Sequence, residues 1–251
     1  MVLDIRWTLQ NGSDRAGYES GHIPTAQFVD LGTELAAPPD DRGRHPLPDA
    51  DTFVAAMRGA GVGDDSAVVV YDAGPATAAA RAWWLLRYFG HRDVRVLDGG
   101  FARWVDEGYS VGTEPSIVAA GSFTARPPLA RVLEVGDVLA FARENVLLDA
   151  RAPERFRGEV EPVDPVAGHI PGAVNRPTTD NVDSDGRFLP PEVLDGAFGG
   201  LVPKGKDVAV YCGSGVTAAH QVLALELAGI DAALYPGSWS GWITDPTRPR
   251  A

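Results

Sequence analysis

The chemistry of this chain gathers at one stretch, Tyr211-Cys212-Gly213-Ser214-Gly215-Val216-Thr217-Ala218, which holds the only cysteine among 251 residues. A thiol reacts as its thiolate, so its surroundings decide whether it does chemistry or merely packs. Ahead of it, Val208-Ala209-Val210-Tyr211 has the composition of a buried strand, and beyond it Thr217 to Gly229 reads as a helix. A strand that ends on Cys212 and turns straight into a helix sets the sulfur among backbone N–H groups that have no intrahelical partner. That setting favours the thiolate. Gly213 and Gly215 give the loop the freedom to curl round the sulfur and aim its amides inward, so the amides from Gly213 through Gly215 and Val216 to Thr217 are the candidate anion holders. The competing reading is a cysteine that simply closes a buried strand, since free cysteine is among the most buried residue types. Two glycines and a following helix weigh against it.

Composition narrows the rest. With 45% apolar and 22% charged residues the chain is an ordinary globular one, long enough for two modest cores. One cysteine excludes an internal disulfide and a Cys-based zinc site and suits a reducing compartment. The five histidines, His22, His45, His91, His169 and His220, lack ligand spacing, so no metal site is expected. A net charge of −12 argues against nucleic acid or an anionic membrane as partner. No apolar run approaches the roughly 20 residues of a membrane span, and Met1-Val2-Leu3-Asp4 does not open a signal peptide, so a cytoplasmic location is expected.

The sequence repeats itself. Gly21-His22-Ile23-Pro24-Thr25-Ala26 returns as Gly168-His169-Ile170-Pro171-Gly172-Ala173, Val68-Val69-Val70-Tyr71-Asp72 as Val208-Ala209-Val210-Tyr211-Cys212, and Leu97-Asp98-Gly99-Gly100-Phe101 with Trp104 as Tyr235-Pro236-Gly237-Ser238-Trp239 with Trp242. Three landmarks in one order indicate a duplicated domain. Each half alternates short β-branched runs with helical stretches. Strands are expected at Val2 to Ile5, Val68 to Tyr71, Val94 to Leu97, Val146 to Leu148, Val208 to Tyr211 and Ala232 to Tyr235. Helices are expected at Ala50 to Gly59, Ala76 to Phe89, Glu134 to Glu144, Glu192 to Phe198 and Thr217 to Leu227. The fold class is therefore α/β, each half a mainly parallel sheet with helices on both faces. The division is 1–114, a proline-rich linker over 115–130, and 131–251. The second half has a helix before its Val146 strand that the first half lacks before Val2. A lost front segment or an internal start is expected, with apolar surface left uncovered on the first domain.

Together, the two His-Ile-Pro boxes, the strand ending in Cys212, Asp98-Gly99-Gly100 with Trp104, and Pro236-Gly237-Ser238-Trp239 resemble the tandem-domain rhodanese family of thiosulfate and 3-mercaptopyruvate sulfurtransferases. The resemblance implies two tandem rhodanese-like domains, of which only the second is catalytic, and here Asp72 stands where Cys212 stands in that second copy. It also implies that Cys212 takes sulfur from a small anionic donor as a persulfide and passes it to cyanide, a small thiol or a protein thiol, with no metal or organic cofactor needed. Related phosphatase loops need Cys-x5-Arg, and Ala218 occupies that arginine position. The Gly213-Ser214-Gly215-Val216-Thr217 loop is similar to the mercaptopyruvate type, in which Ser214, an acidic residue and His22 are expected to move protons. Asp14 is the nearest acid. Arg155 matches the arginine that grips the donor. The second arginine of many mercaptopyruvate enzymes is replaced by Asp164, as in the thiosulfate branch. Thiosulfate:cyanide transfer is thus the alternative activity, and a persulfide carrier or docking module without turnover is the alternative of another class.

Overall fold

The structure, a computed structural model, describes residues 1–251 and divides into two compact units. The first comprises Met1–Ala37, Leu47–Ala130 and Ser184–Arg187; the second comprises Pro38–Pro46, Arg131–Asp183 and Phe188–Ala251. The stretch 115–130 is built into the first unit, where Phe123 is buried and its N–H donates to the Val62 carbonyl.

In the first unit the chain runs β1 (Val2–Asp4), β2 (Trp7–Thr8), β3 (Gly12–Ser13), α1 (Arg15–Ser20), β4 (Gln27–Phe28), α2 (Ala50–Gly59), β5 (Val68–Tyr71), α3 (Thr77–Tyr88), β6 (Val94–Val96) and α4 (Gly100–Asp106). Four strands form a parallel sheet in the order β4-β1-β5-β6, and β2 and β3 make a small antiparallel pair. Helix α2 starts where Asp49 accepts the Thr52 N–H, and it buries Phe53, Ala56 and Met57. Helix α3 is buried from Ala78 to Leu86, so Trp83 and Trp84 are core rather than site residues. Each such fully buried large apolar side chain stabilises the unit by about 2 to 3 kcal/mol.

The second unit runs β7 (Arg131–Val132), α5 (Val138–Glu144), β8 (Val146–Asp149), α6 (Pro153–Phe156), β9 (Val174–Asn175), a 3-10 turn over Thr178–Asn181, α7 (Pro191–Gly199), β10 (Val208–Tyr211), α8 (Val216–Leu227), β11 (Ala232–Leu234) and α9 (Ser238–Trp242). Its parallel sheet is ordered β7-β11-β10-β8-β9, with β10 at the centre. Strands β8 and β10 are buried throughout, as expected of parallel strands covered on both faces. Helix α5 begins at Val138, a turn later than the run from Glu134 suggests, because Glu134–Asp137 closes as a turn on the Asp137 N–H to Glu134 carbonyl bond.

The two sheets share one strand order, β4-β1-β5-β6 matching β9-β8-β10-β11, and only the second carries a further strand and helix, β7 and α5. The difference registers in burial. Trp239 and Trp242 are buried in a cluster with Val138 of α5, whereas their repeat partners Phe101 and Trp104 remain half-buried.

The duplicated motifs are local braces. Asp4 and Arg6 form a buried two-pronged pair and Arg6 Nη2 donates to the Gly21 carbonyl; Asp149, Arg151 and Gly168 repeat the arrangement. The Ile23 and Ile170 N–H groups donate to the Tyr71 and Tyr211 hydroxyls respectively. These contacts tie each His-Ile-Pro box to its central strand.

Candidate active site

Strand β10 delivers Cys212 to the carboxyl end of the sheet, where the side chain is 1% exposed. Gly215, the N-cap of α8, has φ 81° and ψ 0°, a left-handed conformation that costs a glycine little. The turn carries the Gly215 N–H to 3.1 Å from Cys212 Sγ. On the other side, the N–H groups of Trp239 and Ser240 donate to the Cys212 and Gly213 carbonyls at 2.9 and 2.8 Å. Because N–H and C=O point oppositely across a trans peptide, the amides of Gly213 and Ser214 face away from α9. The loop is thereby fixed with its carbonyls on α9 and its amides on the site.

Ser238 holds the same loop. Its hydroxyl accepts the Cys212 N–H at 3.1 Å and donates to the Tyr235 carbonyl at 3.0 Å. Its oxygen lies 4.0 Å from Cys212 Sγ, but its single proton is committed to the much closer carbonyl, so Ser238 positions the cysteine backbone rather than the sulfur. The residue adopts φ 53°, a left-handed angle that costs a non-glycine about 1 kcal/mol or more and is maintained by those two bonds.

The segment Pro38–Pro46 supplies the remaining chemistry. Gly43, at φ 125°, lies so near α9 that a Cβ would come within 2.9 Å of the Gly237 carbonyl oxygen, and the Arg44 N–H donates to Ser240 Oγ at 3.1 Å. Two consecutive side chains then enter the site. His45 Nδ1 pairs with Ser214 Oγ at 2.8 Å. Arg44 forms an ion pair through Nη1 with Asp164 Oδ1. Burial pushes the Arg44 guanidinium below its ordinary pKa, and the nearby Cys212 charge pulls it back up.

Arg155, on α6, shares Asp164 with Arg44. Its Nη2 donates to Glu161 Oε1 at 2.6 Å and to Asp164 Oδ2 at 3.1 Å, and its Nε donates to Glu161 Oε2 at 3.2 Å. Glu161 also accepts the Asp164 N–H and the Nη1 of Arg151, so both carboxylates are buried and fully engaged. A buried thiol at a helix N-terminus, flanked by amides, a hydroxyl–imidazole pair and two guanidiniums, can attack an electrophilic sulfur and hold the anion that results.

A family model described as the rhodanese-like domain matches residues 1–107 and again 135–245. The chain belongs to the rhodanese family. Among curated rhodanese relatives, the "Probable 3-mercaptopyruvate sulfurtransferase" of Pseudomonas aeruginosa is 49% identical, the alignment spanning 100% of this chain and 92% of that protein. A Mycobacterium tuberculosis protein provisionally named a thiosulfate sulfurtransferase is 45% identical over 99% of this chain and 89% of its own. The crystal structure of the 3-mercaptopyruvate enzyme SseA from Escherichia coli superposes with a TM-score of 0.84 at 36% identity, covering 96% of this chain and 92% of that one.

In the first rhodanese unit the corresponding cradle is filled by the protein itself. Asp72 accepts N–H groups from Gly74, Ala76, Ala78 and Ala79, at 2.8 to 3.2 Å, which gather at the start of α3. Complete burial pushes its carboxyl above the usual range, and the four amides act in the opposite direction. Asp72 is therefore an acceptor for the turn into α3, and no thiol stands at that position.

Of the candidates named from sequence, Cys212, Gly213, Ser214, Gly215, Val216 and Arg155 come together in the second unit, and Thr217 lies half-buried in the first turn of α8. His22 is a different matter. It belongs to the first unit, where its ring stacks on Tyr18 at 4.1 Å and its Nδ1 pairs with the Tyr18 carbonyl. His169 repeats both contacts with Phe156 in the second unit, at 3.8 Å between rings. The box histidine is therefore a packing element in both copies, and the histidine on Ser214 is His45. Asp14 caps α1 by accepting the Gly17 N–H. Sequence reasoning passed over Arg44 and His45, whose only signal was the cationic run Arg42-Gly43-Arg44-His45-Pro46 in a loop.

Proposed function

We propose that this rhodanese-family chain is a sulfurtransferase that takes sulfur from 3-mercaptopyruvate onto Cys212 and hands it to a thiophilic acceptor such as cyanide, a small thiol or a protein thiol. The observation that carries the reading is Cys212 Sγ held 3.1 Å from the Gly215 N–H with the Arg155 guanidinium over the same loop. The names of the Pseudomonas and Escherichia relatives support the choice of donor.

The reaction balances on these groups. The Cys212 thiolate attacks the donor sulfur, a Cys–S bond forms, and the bond from that sulfur to C3 breaks, its electron pair passing into the pyruvate enolate. The donor thiol proton is removed and C3 gains one, so the products are pyruvate and a Cys212 persulfide anion. The Ser214–His45 pair is the group for that proton, and Arg155 is the fork for the donor carboxylate. In the second half-reaction the acceptor bonds to the outer sulfur, the S–S bond breaks and the Cys212 thiolate returns. A single cysteine suits a reducing compartment, and we place the protein in the cytoplasm. No helix is long and apolar enough to cross a membrane.

Thiosulfate is the second reading, favoured by Asp164 and by the name of the Mycobacterium relative. Intact mass after incubation with 3-mercaptopyruvate tests the first half-reaction. One added sulfur in the wild type, removed by cyanide and absent in Cys212→Ser, is expected. An unchanged wild-type mass contradicts the proposal.

A further inference from the structure

We infer that Arg44, brought into the site by the segment Pro38–Pro46, is a specificity-determining residue that grips the donor carboxylate together with Arg155, in place of the arginine that position 164 lacks. The inference rests on the donor reading above and adds a residue to it.

Placement comes first. A Cβ built on Gly213, the residue after the nucleophile, would lie 2.9 Å from Arg44 Nη2 and 3.6 and 3.7 Å from Arg155 Nη1 and Nη2. Two guanidiniums from segments more than a hundred residues apart therefore converge on one point beside Cys212. Any side chain at 213 would displace them.

The second observation is what their donors do. Asp164 clips the pair from behind, giving Oδ1 to Arg44 Nη1 and Oδ2 to Arg155 Nη2. That leaves Arg44 Nη2 and Arg155 Nη1, the donors nearest Gly213, without a protein acceptor, and Arg44 Nε is buried with no partner at all. Guanidinium N–H groups without a protein acceptor are free to meet a ligand, and planar forks suit the two oxygens of a carboxylate. The Asp164 that marks a missing arginine is thus the clip that orders two others.

Charge selects the ligand. Arg44 and Arg155 are balanced by Glu161 and Asp164, both buried, so the clamp has no net charge of its own to offer. A planar monocarboxylate sets its one charge against two oriented forks, whereas a compact dianion such as thiosulfate brings twice the charge to a site with no net cation to offset it. The Arg44 backbone, held by Ser240 Oγ and by the close fit of Gly43 on α9, has little freedom left to lose on binding.

The test is single-turnover formation of the Cys212 persulfide from 3-mercaptopyruvate and from mercaptoacetone, which has the same thiol and ketone but no carboxylate. Wild type, Arg44→Ala and Arg44→Lys are compared. Arg44→Ala is expected to weaken use of 3-mercaptopyruvate about tenfold to a hundredfold, mainly in the concentration for half-maximal rate. The loss with mercaptoacetone, which offers Arg44 no carboxylate, should be much smaller, and lysine should restore part of the loss with 3-mercaptopyruvate. Equal losses on both donors overturn the inference, because Arg44 then acts only on the shape of the site. Failure of the wild type itself to form a persulfide from 3-mercaptopyruvate overturns the donor reading and the inference together, and that arm is read separately.

Discussion

The pairing of Ser214 Oγ with His45 Nδ1 at 2.8 Å separates the two sulfur donors by their protons. Mercaptopyruvate must lose a thiol proton and regain one at carbon, whereas thiosulfate releases sulfite with no proton to move. Ser214→Ala and His45→Asn should therefore each lower kcat with 3-mercaptopyruvate by about a hundredfold or more while leaving turnover from thiosulfate nearly unchanged. The double variant should be no worse than either single one, since both act on one proton path. Steady-state kinetics with both donors checks this, and equal losses on the two would show a merely structural pair. At this scale the candidate nucleophile was legible in the sequence and the side chains gathered around it only in part. Cys212 is the sole thiol and sits between a strand and glycines, and Arg155 lies within a recognisable segment. His45 reaches Ser214 across 169 positions of chain, a contact no local pattern encodes. His22 drew attention through its repeated box, yet the repetition was itself the sign of a packing role, since His169 makes the same stack and the same carbonyl contact.

Secondary elements were legible where burial and periodicity coincide. Helix α2 falls on its expected bounds, and β5 and β10 do as well, because short apolar runs rich in valine and ending on tyrosine, bounded by turn residues, leave few alternatives. The two-residue strands β4, β7 and β9 were not, since their pairing is set by tertiary position rather than composition. Nor was the capture of Pro38–Pro46 by the second unit, which depends on the close approach of Gly43 to α9. The start of α3 offers a test of how much one carboxylate does for a helix. Four N–H groups terminate on Asp72, so Asp72→Ala leaves buried donors without an acceptor and should destabilise the first unit by about 2 to 4 kcal/mol. Native-state hydrogen exchange should show faster exchange at Ala78 and Ala79, with amides of α8 unaffected. Unchanged protection at those two amides would mean that water replaces the carboxylate without loss.

For the molecule as a whole, duplication built two cradles and armed one. Asp72 closes the first with an acceptor that cannot carry sulfur, and Cys212 occupies the second, so each chain should take up a single sulfur however large the excess of donor. The sequence repeats made the duplication plain, while the unequal covering of the two sheets became visible in the half-buried Phe101 and Trp104 beside the buried Trp239 and Trp242. The net charge of −12 gives an anionic donor no long-range attraction, so selection falls to the few cations at the site. The central claim is that those cations and the loop are arranged for a proton-bearing monocarboxylate. Side-by-side measurement of kcat/KM for sulfur transfer to cyanide from 3-mercaptopyruvate and from thiosulfate tests it most directly. We expect 3-mercaptopyruvate to be preferred by at least about tenfold, as two charge-assisted hydrogen bonds would provide. A preference for thiosulfate would contradict the account and make Asp164 the mark of a thiosulfate enzyme.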